Sequence, residues 1–388
     1  MRVPLSSPEI SQDDIEEVLG VLKSGRLSIG PKIEEFERLV AEYTGVKYAV
    51  AVNSGTSALH LIIRSLGIGE GDLVITTPFS FIASANVMLF ERALPVFADI
   101  DPKTLNLSPE SVRETIENLK NKKMKVGNVN LDFSKLKALL VVDVFGQPAD
   151  WEEFEEIARE NELKLIEDSC EAIGAEYKGR KAGTFGSAGA FAFYPNKQMT
   201  TGEGGIIVTD DERIYILSKS MRNQGRGEGD DWLTHSRLGY NYRLDEMSAA
   251  LGVSQIRKLE KFLEKREKVA NIYNELLKNI DGIDVPYIAP STTKMSWFVY
   301  VVKLDKNIDR DKVMKYLEEK GIQTRPYFSA IHLQKFYREI FGYTEGFLPI
   351  TEEISNRTLA IPFYNNITFE EQEYVVENLK KALEIFGK

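Results

Sequence analysis

The sequence predicts an α/β fold, a three-layer structure with a mostly parallel sheet between helices, followed by a smaller C-terminal α+β domain. Two observations carry this reading. Over roughly the first 240 residues, short apolar runs rich in Val, Ile and Ala alternate with helix-period segments. Continuous apolar strands of that kind are buried on both faces, as in a helix-covered parallel sheet. Beyond Tyr242 the pattern changes to a long charged helical segment and then isolated strands and helices. A chain of 388 residues holds two or more domains at roughly 150 residues each. We set them at 1–245, the large α/β domain, and 246–388, the small one.

The elements follow in order. Ser11 caps a helix reaching Gly25, with Asp14 three residues on and Ile15, Val18, Leu19 and Leu22 as its apolar stripe. Pro31 to Thr44 is a second helix, with Ile33, Phe36, Leu39 and Val40 on one face and Gly45 as its stop. The strand YAVAV runs through NSGTS into the helix ALHLIIRSLG. DLVITTP precedes FSFIASANVMLFE, ALPVFADI precedes a helical stretch from Pro109, and ALLVVDVFG precedes DWEEFEEIARENE. KLIEDS, AFAFYP and GGIIVTDD are further strands. One long charged helix spans about Asp245 to Lys278. A loop marked by Pro286 and Pro290, the strand SWFVYVVKL, the helix DRDKVMKYLEEKG, the loop TRPYFSAIHLQ and the helix FEEQEYVVENLKKALE complete the chain.

Composition excludes several function classes. The net charge is -10 with mixed signs along the chain, which leaves no basic stripe to neutralise nucleic-acid phosphates. Cys170 is the single cysteine, so neither an intrachain disulfide nor a cysteine metal cluster forms. His60, His235 and His332 lie far apart and outside any metal-ligand motif. The N-terminal segment lacks the apolar run of a signal peptide, and no apolar stretch approaches the ~18 residues of a membrane span. The expectation is a metal-free cytoplasmic protein.

Three features carry chemistry. In NSGTSALHL a strand ends at Val52, Gly55 relaxes the turn, and Ser54, Thr56 and Ser57 offer hydroxyls where a helix begins. Free N–H groups and the helix dipole there suit a phosphate, although the same residues are ordinary N-caps. In LKLIEDSCEA the strand runs into Glu167 and Asp168. Alternation turns Asp168 to the side of Ile166 and Glu167 to the other. An acid at the carboxyl end of a parallel strand either meets a ligand there or caps a helix. In FAFYPNKQMTTGEGG a single lysine, Lys197, follows a buried-looking strand and precedes three glycines. In a sheltered cleft desolvation favours its neutral, nucleophilic amine; on the surface it is one more solvated lysine.

Together a phosphate cradle, a carboxylate and an imine-forming lysine are what pyridoxal 5′-phosphate requires: an anchor, a partner that keeps the ring nitrogen protonated, and an amine that holds the aldehyde and moves a proton. A flat aromatic belongs against the ring. Phe81 is the candidate, with Phe79 close by.

These residues, with PVFADIDPKTLN, VVDVFGQPAD, IEDSCEAIGAEYKGRKAGTFG, RNQGR, LGYNYRLDEMSAALG and TRPYFSAIHLQ in the same order, resemble the DegT/DnrJ/EryC1/StrS family of sugar aminotransferases, whose fold is the aspartate aminotransferase-like fold type I. The likeness spans nearly the whole chain. It implies that Lys197 forms the imine and that Asp168 pairs with the pyridine nitrogen. It also implies that Gly55, Thr56 and Ser57 hold the phosphate and that Phe81 stacks on the ring. Asn241 would reach the cofactor phosphate of a neighbouring subunit, so the resemblance implies a homodimer. It further implies a ping-pong transfer of an amino group from glutamate to a keto group on a nucleotide-linked hexose.

Two positions depart from the family pattern. Glu171 stands where Gln is common in the family, whose amide contacts the phenolic side of the cofactor, and a carboxylate there would interact differently. Ala192 stands where a Ser often adds a phosphate contact, with Ser187 or Thr201 as candidate replacements. For the nucleotide sugar, Arg325, Tyr327 and His332 combine a cation, a ring and a hydrogen-bonding group, with Arg243 reaching across the interface; alternatively this loop only seals the small domain. A pyridoxal phosphate-dependent sugar dehydratase or other elimination enzyme is the alternative chemistry, and relatives of that kind replace the lysine with histidine. A non-enzymatic sensor is the third reading, and no appended domain favours it.

Overall fold

The computed structural model describes residues 1–126, 129–227, 229, 231 and 233–387. The helices are α1 (Gln12–Ser24), α2 (Pro31–Thr44), α3 (Gly55–Ser65), α4 (Ala83–Phe90), α5 (Pro109–Lys120), α6 (Trp151–Glu160), α7 (Glu212–Arg222), α8 (Glu246–Ile256), α9 (Leu259–Leu277), α10 (Arg310–Glu319), α11 (Lys335–Phe341), α12 (Pro349–Ser355) and α13 (Phe369–Phe386). The strands are β1 (Tyr48–Val52), β2 (Leu73–Thr76), β3 (Leu94–Phe97), a short hairpin of β4 (Lys125–Val126) and β5 (Val129–Asn130), β6 (Leu136–Val142), β7 (Lys164–Asp168), β8 (Glu176–Tyr177), β9 (Arg180–Lys181), β10 (Ala188–Ala192), β11 (Gly205–Thr209), β12 (Ile283–Asp284), β13 (Thr292–Lys294), β14 (Tyr300–Leu304) and β15 (Thr358–Ile361).

The main sheet has the order β1-β11-β10-β7-β6-β2-β3. Only β11 runs against its neighbours β1 and β10; the pairs β10–β7, β7–β6, β6–β2 and β2–β3 are parallel. Both faces are dry, as the apolar runs require. Val50, Val74, Leu140, Ile166, Ala190 and Ile207 face one way, onto Leu59, Ile62 and Ile63 of α3 and Ile214 and Met221 of α7. Leu139, Val141 and Leu165 face the other way, onto Ile116 of α5 and Trp151, Phe154 and Ile157 of α6. On that same side Ala51, Phe191 and Ile206 meet Phe36 and Val40 of α2 and Val253 of α8.

A second, antiparallel sheet of order β12-β14-β15 buries Tyr300, Val302, Leu359 and Ile361 against Tyr273 and Leu277 of α9, Val313 and Leu317 of α10, and Val375 and Leu379 of α13; Val3, near the N-terminus, joins this cluster. The sequence reading puts the domain boundary after 245. In the structure Glu246, the first residue of α8, accepts hydrogen bonds from the backbone of Gly30 (3.0 Å), Lys32 (2.9 Å) and Ile33 (3.1 Å). The apolar contacts pass to the second sheet within α9, whose Leu263 belongs to one cluster and Val269 to the other.

Two local expectations are corrected. The single helix from Asp245 to Lys278 is two helices, broken where Lys258 reaches Asp14 at 2.6 Å and Ser11 at 2.7 Å. The apolar stripe of α1 does not face the core: Ile15, Leu19 and Leu22 are exposed, at 51%, 42% and 49%. The helix is attached through Val21 and through the buried Asp14, which also closes a capping box with Ser11. Period set the stripe correctly; which side meets the protein was set by Asp14 and its partners Lys258 and Gln255. Among the described residues no helix is long and apolar enough to cross a membrane.

Candidate active site

The carboxyl ends of β1, β7, β6 and β10 lie on one edge of the main sheet, where open α/β sheets hold ligands. The antiparallel β11 brings its first residue, Gly205, to the same edge, opposite both Val52 and Ala192.

At the end of β1 the chain turns into α3. Ser54 is the N-cap, its hydroxyl accepting from Ser57 N–H at 3.1 Å. Ser57 Oγ donates to Asn53 Oδ1 at 2.7 Å. The N–H groups of Gly55 and Thr56 open the helix and have no carbonyl one turn earlier to bond. The turn is close-packed. A Cβ on Gly55 would stand 2.7 Å from Ala192 Cβ and 2.9 Å from Cys170 Sγ, and one on Gly205 would stand 2.4 Å from Ser54 backbone atoms. The last glycine of GEGG therefore lets the start of β11 meet the loop before α3, and the glycine of GTS lets that loop pack against the end of β10 and Cys170.

Asp168 closes β7 and is 4% exposed. Its Oδ2 accepts from Ser84 Oγ at 2.6 Å and its Oδ1 from Cys170 N–H at 3.2 Å. Ser84 belongs to the first turn of α4, where its N–H donates to Phe81 O. Phe81 thus sits one turn from the carboxylate, with its side chain 62% exposed, while Phe79 is fully buried, edge-on to Phe145 and Phe328. Glu167 points the opposite way, as alternation requires, and accepts from Phe185 N–H at 2.9 Å and from Gly183 N–H.

Lys197 lies in a turn after β10, its N–H bonded to Tyr194 O at 2.9 Å. The side chain is only 12% exposed. Its Nζ lies 3.7 Å from Glu171 Oε1 and 3.7 Å from the centroid of the Phe298 ring. Glu171 Oε2 accepts from Phe145 N–H at 2.9 Å. Burial pushes the Glu171 carboxyl up, against the opposing pull of Lys197. Arg266, 3% exposed, donates to Lys197 O at 3.0 Å and to Trp297 O at 3.3 Å, and burial draws its guanidinium down to about 10. A buried cation on α9 therefore ties the lysine turn to the segment before β14 that supplies Phe298.

The remaining predicted residues fall into three groups. Asn241 is exposed and Arg243 partly so, on a segment running beside the end of β1: Asn53 N–H donates to Tyr242 O at 2.9 Å, and Arg243 donates to Asn223 Oδ1 at 3.0 Å. Tyr327 packs edge-on against Phe298 and Phe145, and burial followed by the Glu171 charge raises its hydroxyl to about 12. Arg325 is exposed, two residues away, donating to Thr324 O at 2.9 Å. His332 departs from the expectation. It is fully buried, beside Phe97 and Tyr343, with Nε2 3.0 Å from Glu352 Oε1; it braces the core instead of facing a ligand.

The replacements considered for the hydroxyl missing at Ala192 are also settled by position. Ser187 stands at the opposite end of β10, its N–H bonded to Leu165 O, and so lies at the wrong edge of the sheet. Thr201 is near, its N–H bonded to Phe193 O, but its hydroxyl donates to Glu203 O at 2.6 Å.

Sequence reasoning missed Ser84, Phe298 and Arg266. Ser84 lay inside a quoted motif, two residues before Asn86. Phe298 read as an ordinary strand residue and Arg266 as one charge among many on a long helix.

The DegT/DnrJ/EryC1/StrS aminotransferase family matches this chain over residues 8–380. The spore coat polysaccharide biosynthesis protein SpsC of Bacillus subtilis (strain 168) is 33% identical over 391 residues, covering 97% of this chain and 96% of its own. GDP-perosamine synthase of Escherichia coli O157:H7 is 32% identical over 381 residues, 98% of each chain. The solved structure of Helicobacter pylori PseC, an aminotransferase involved in the biosynthesis of pseudoaminic acid, superposes with a TM-score of 0.90 at 27% identity, covering 100% of both chains.

Proposed function

The chain belongs to the DegT/DnrJ/EryC1/StrS aminotransferase family, and on that premise we propose that this sugar aminotransferase moves an amino group from glutamate to the keto group of a nucleotide-linked hexose. In this reading pyridoxal 5′-phosphate is the cofactor. The observation that carries it is the enclosure of Lys197: one amine, 12% exposed between Glu171 and Phe298, at the sheet edge where Asp168 and the N-terminus of α3 also end.

The residues present fit the group. The start of α3 offers the N–H groups and hydroxyls of Gly55, Thr56 and Ser57 to a phosphate. Asp168 is an acceptor for a ring nitrogen, and the exposed ring of Phe81 stands one turn from it. Asn196 Oδ1, next to Lys197, is buried without a partner and is available to a ligand atom.

Bound pyridoxal phosphate supplies an aldehyde that condenses with amines and a protonated ring that takes up electrons from a bond broken beside the nitrogen. The chain's own residues do the rest. Asp168, oriented by Ser84 and Cys170, keeps a proton on the ring nitrogen. Lys197 would hold the cofactor's aldehyde and, as a free amine, would carry a proton to and from the reacting carbon. Glu171 provides the opposing charge whenever that amine is protonated. Arg266 fixes the lysine turn so that the amine swings without its backbone moving. Tyr327 and Arg325, with Arg243, line the approach for the nucleotide sugar.

The active unit in this reading is a homodimer in which Asn241 serves a neighbouring cofactor phosphate. Its support here is the exposure of Asn241 and of the apolar face of α1. The decisive experiment is the isolated half-reaction. Purified protein with glutamate and no sugar should release one equivalent of 2-oxoglutarate per site and then aminate an added nucleotide keto sugar. A requirement for both substrates before any product appears would refute the mechanism.

A further inference from the structure

Directly behind Asp168 lie two acids that the transfer chemistry does not use. Asp143, at the end of β6, and Glu167, the penultimate residue of β7, are both 0% exposed. Ser169 Oγ stands between them, 2.7 Å from Asp143 Oδ2 and 2.9 Å from Glu167 Oε1. A hydroxyl has one proton, so it donates to one of these oxygens, and the other must donate to it. The oxygens that the other donors occupy decide which. Glu167 receives the N–H groups of Gly183 and Phe185 as well. Asp143 Oδ1 receives Ala149 N–H at 2.8 Å and Trp151 Nε1–H at 3.0 Å, which leaves Oδ2 facing Ser169 and the Glu167 carboxyl without an N–H donor among the described residues. We propose that Asp143 is a carboxylic acid in the working protein, donating through Ser169 to a Glu167 carboxylate, and that this one-proton chain positions Asp168.

The link to Asp168 is covalent on one side and hydrogen-bonded on the other. Glu167 and Ser169 flank it in sequence, and Asp143 N–H donates to Asp168 O at 3.1 Å. The groups facing the pair come from Ser169, the 149–151 turn and the 183–185 loop: the Ser169 hydroxyl, the Trp151 indole and backbone N–H groups. None is a cation. Burial raises both acids, Asp143 well above the ordinary range and further by the Glu167 charge. Losing the proton would leave two unshielded charges side by side under Asp168.

Substitutions separate the two acids. Asp143→Asn keeps every bond, its Oδ1 accepting from Ala149 and Trp151 while its amide donates to Ser169. Glu167→Gln turns an amide toward Gly183 or Phe185 N–H and loses an acceptor. Between the ordinary carboxylate range and the raised value the native wild type binds one more proton than the unfolded chain. Its folding constant therefore falls relative to that of Asp143→Asn by about tenfold per pH unit. Since the proposal has Asp143 still protonated at neutral pH, denaturant titrations at about pH 5 and pH 7 should show that ratio change by roughly a hundredfold; a constant ratio would overturn the proposal. The wild-type holoenzyme gives an independent reading, since its infrared spectrum at neutral pH should contain a protonated-carboxyl stretch that Asp143→Asn removes. Absence of the band in wild type, or its survival in Asp143→Asn, overturns the assignment even if a variant folds poorly. Visible absorbance tests the positioning role: Asp143→Asn should hold its cofactor at higher pH than wild type, and equal alkaline limits would reject it. That last readout rests on the pyridoxal phosphate reading; the first two do not, so the failures are distinguishable.

Discussion

Lys197 Nζ lies 3.7 Å from Glu171 Oε1, and the two side chains are 12% and 6% exposed. Water screens this pair weakly, so the ionisation of Glu171 controls the charge around the lysine. Burial raises the Glu171 carboxyl above its ordinary 4.5; it is therefore neutral below the raised value and charged above it. As pH falls through that value the lysine loses its counter-charge. The acid limb of the kcat/KM profile should lie above 4.5 in wild type and vanish in Glu171→Gln. An unchanged limb in the variant would remove Glu171 from the chemistry.

Lys197→Ala should abolish the yellow imine absorbance and the covalent label left by borohydride, while leaving the far-ultraviolet circular dichroism unchanged. Retention of a borohydride-stable adduct on another lysine would contradict the assignment.

Ser84→Ala removes the 2.6 Å hydrogen bond to Asp168 Oδ2. A hydrogen bond to a charged group contributes about 2 kcal/mol, so cofactor affinity should weaken roughly 30-fold. A spectrophotometric titration of the apoprotein measures this directly, and an affinity within about twofold of wild type would show that Ser84 does not orient the acid.

Gly205→Ala forces a methyl to 2.4 Å from Ser54 backbone atoms. Backbone cannot rotate away as a side chain can, so the cost should reach about 2–3 kcal/mol, split between lost stability and loss of the α3 turn. Denaturation midpoints and phosphate-competed cofactor binding resolve the two parts.

Leu19→Asp tests the outward face of α1. If a second copy covers the stripe, a charge there should weaken self-association by tenfold or more, on the order of the burial of one leucine. Sedimentation over a dilution series measures it; an unchanged assembly would place the subunit contact elsewhere.

Much of this arrangement was readable from the chain. Apolar runs closed by caps gave the main sheet, and strand alternation separated Asp168 from Glu167 before any coordinates. What stayed hidden depends on the third dimension. The stripe on α1 had the right period, but period says nothing about what lies opposite. His332 shares its loop with Arg325 and Tyr327, yet the partner that claims it, Glu352, comes from α12. Phe298 and Arg266 reach the lysine from β14's approach and from α9, whose local sequences advertise only a strand and a charged helix. Ser187 precedes β10 and Ala192 ends it, so the two stand at opposite edges of the sheet.

The position of β11 has a bearing on synthesis at the ribosome. β1 is an edge strand whose strand partner is β11, and the chain between Val52 and Gly205 must be made before that partner exists. At about 5–20 residues per second the nascent β1 waits on the order of ten seconds with its ladder groups open. An exposed strand of that kind invites wrong pairing. Fragments released before residue 205 would carry the GTS turn without the backbone that seats it.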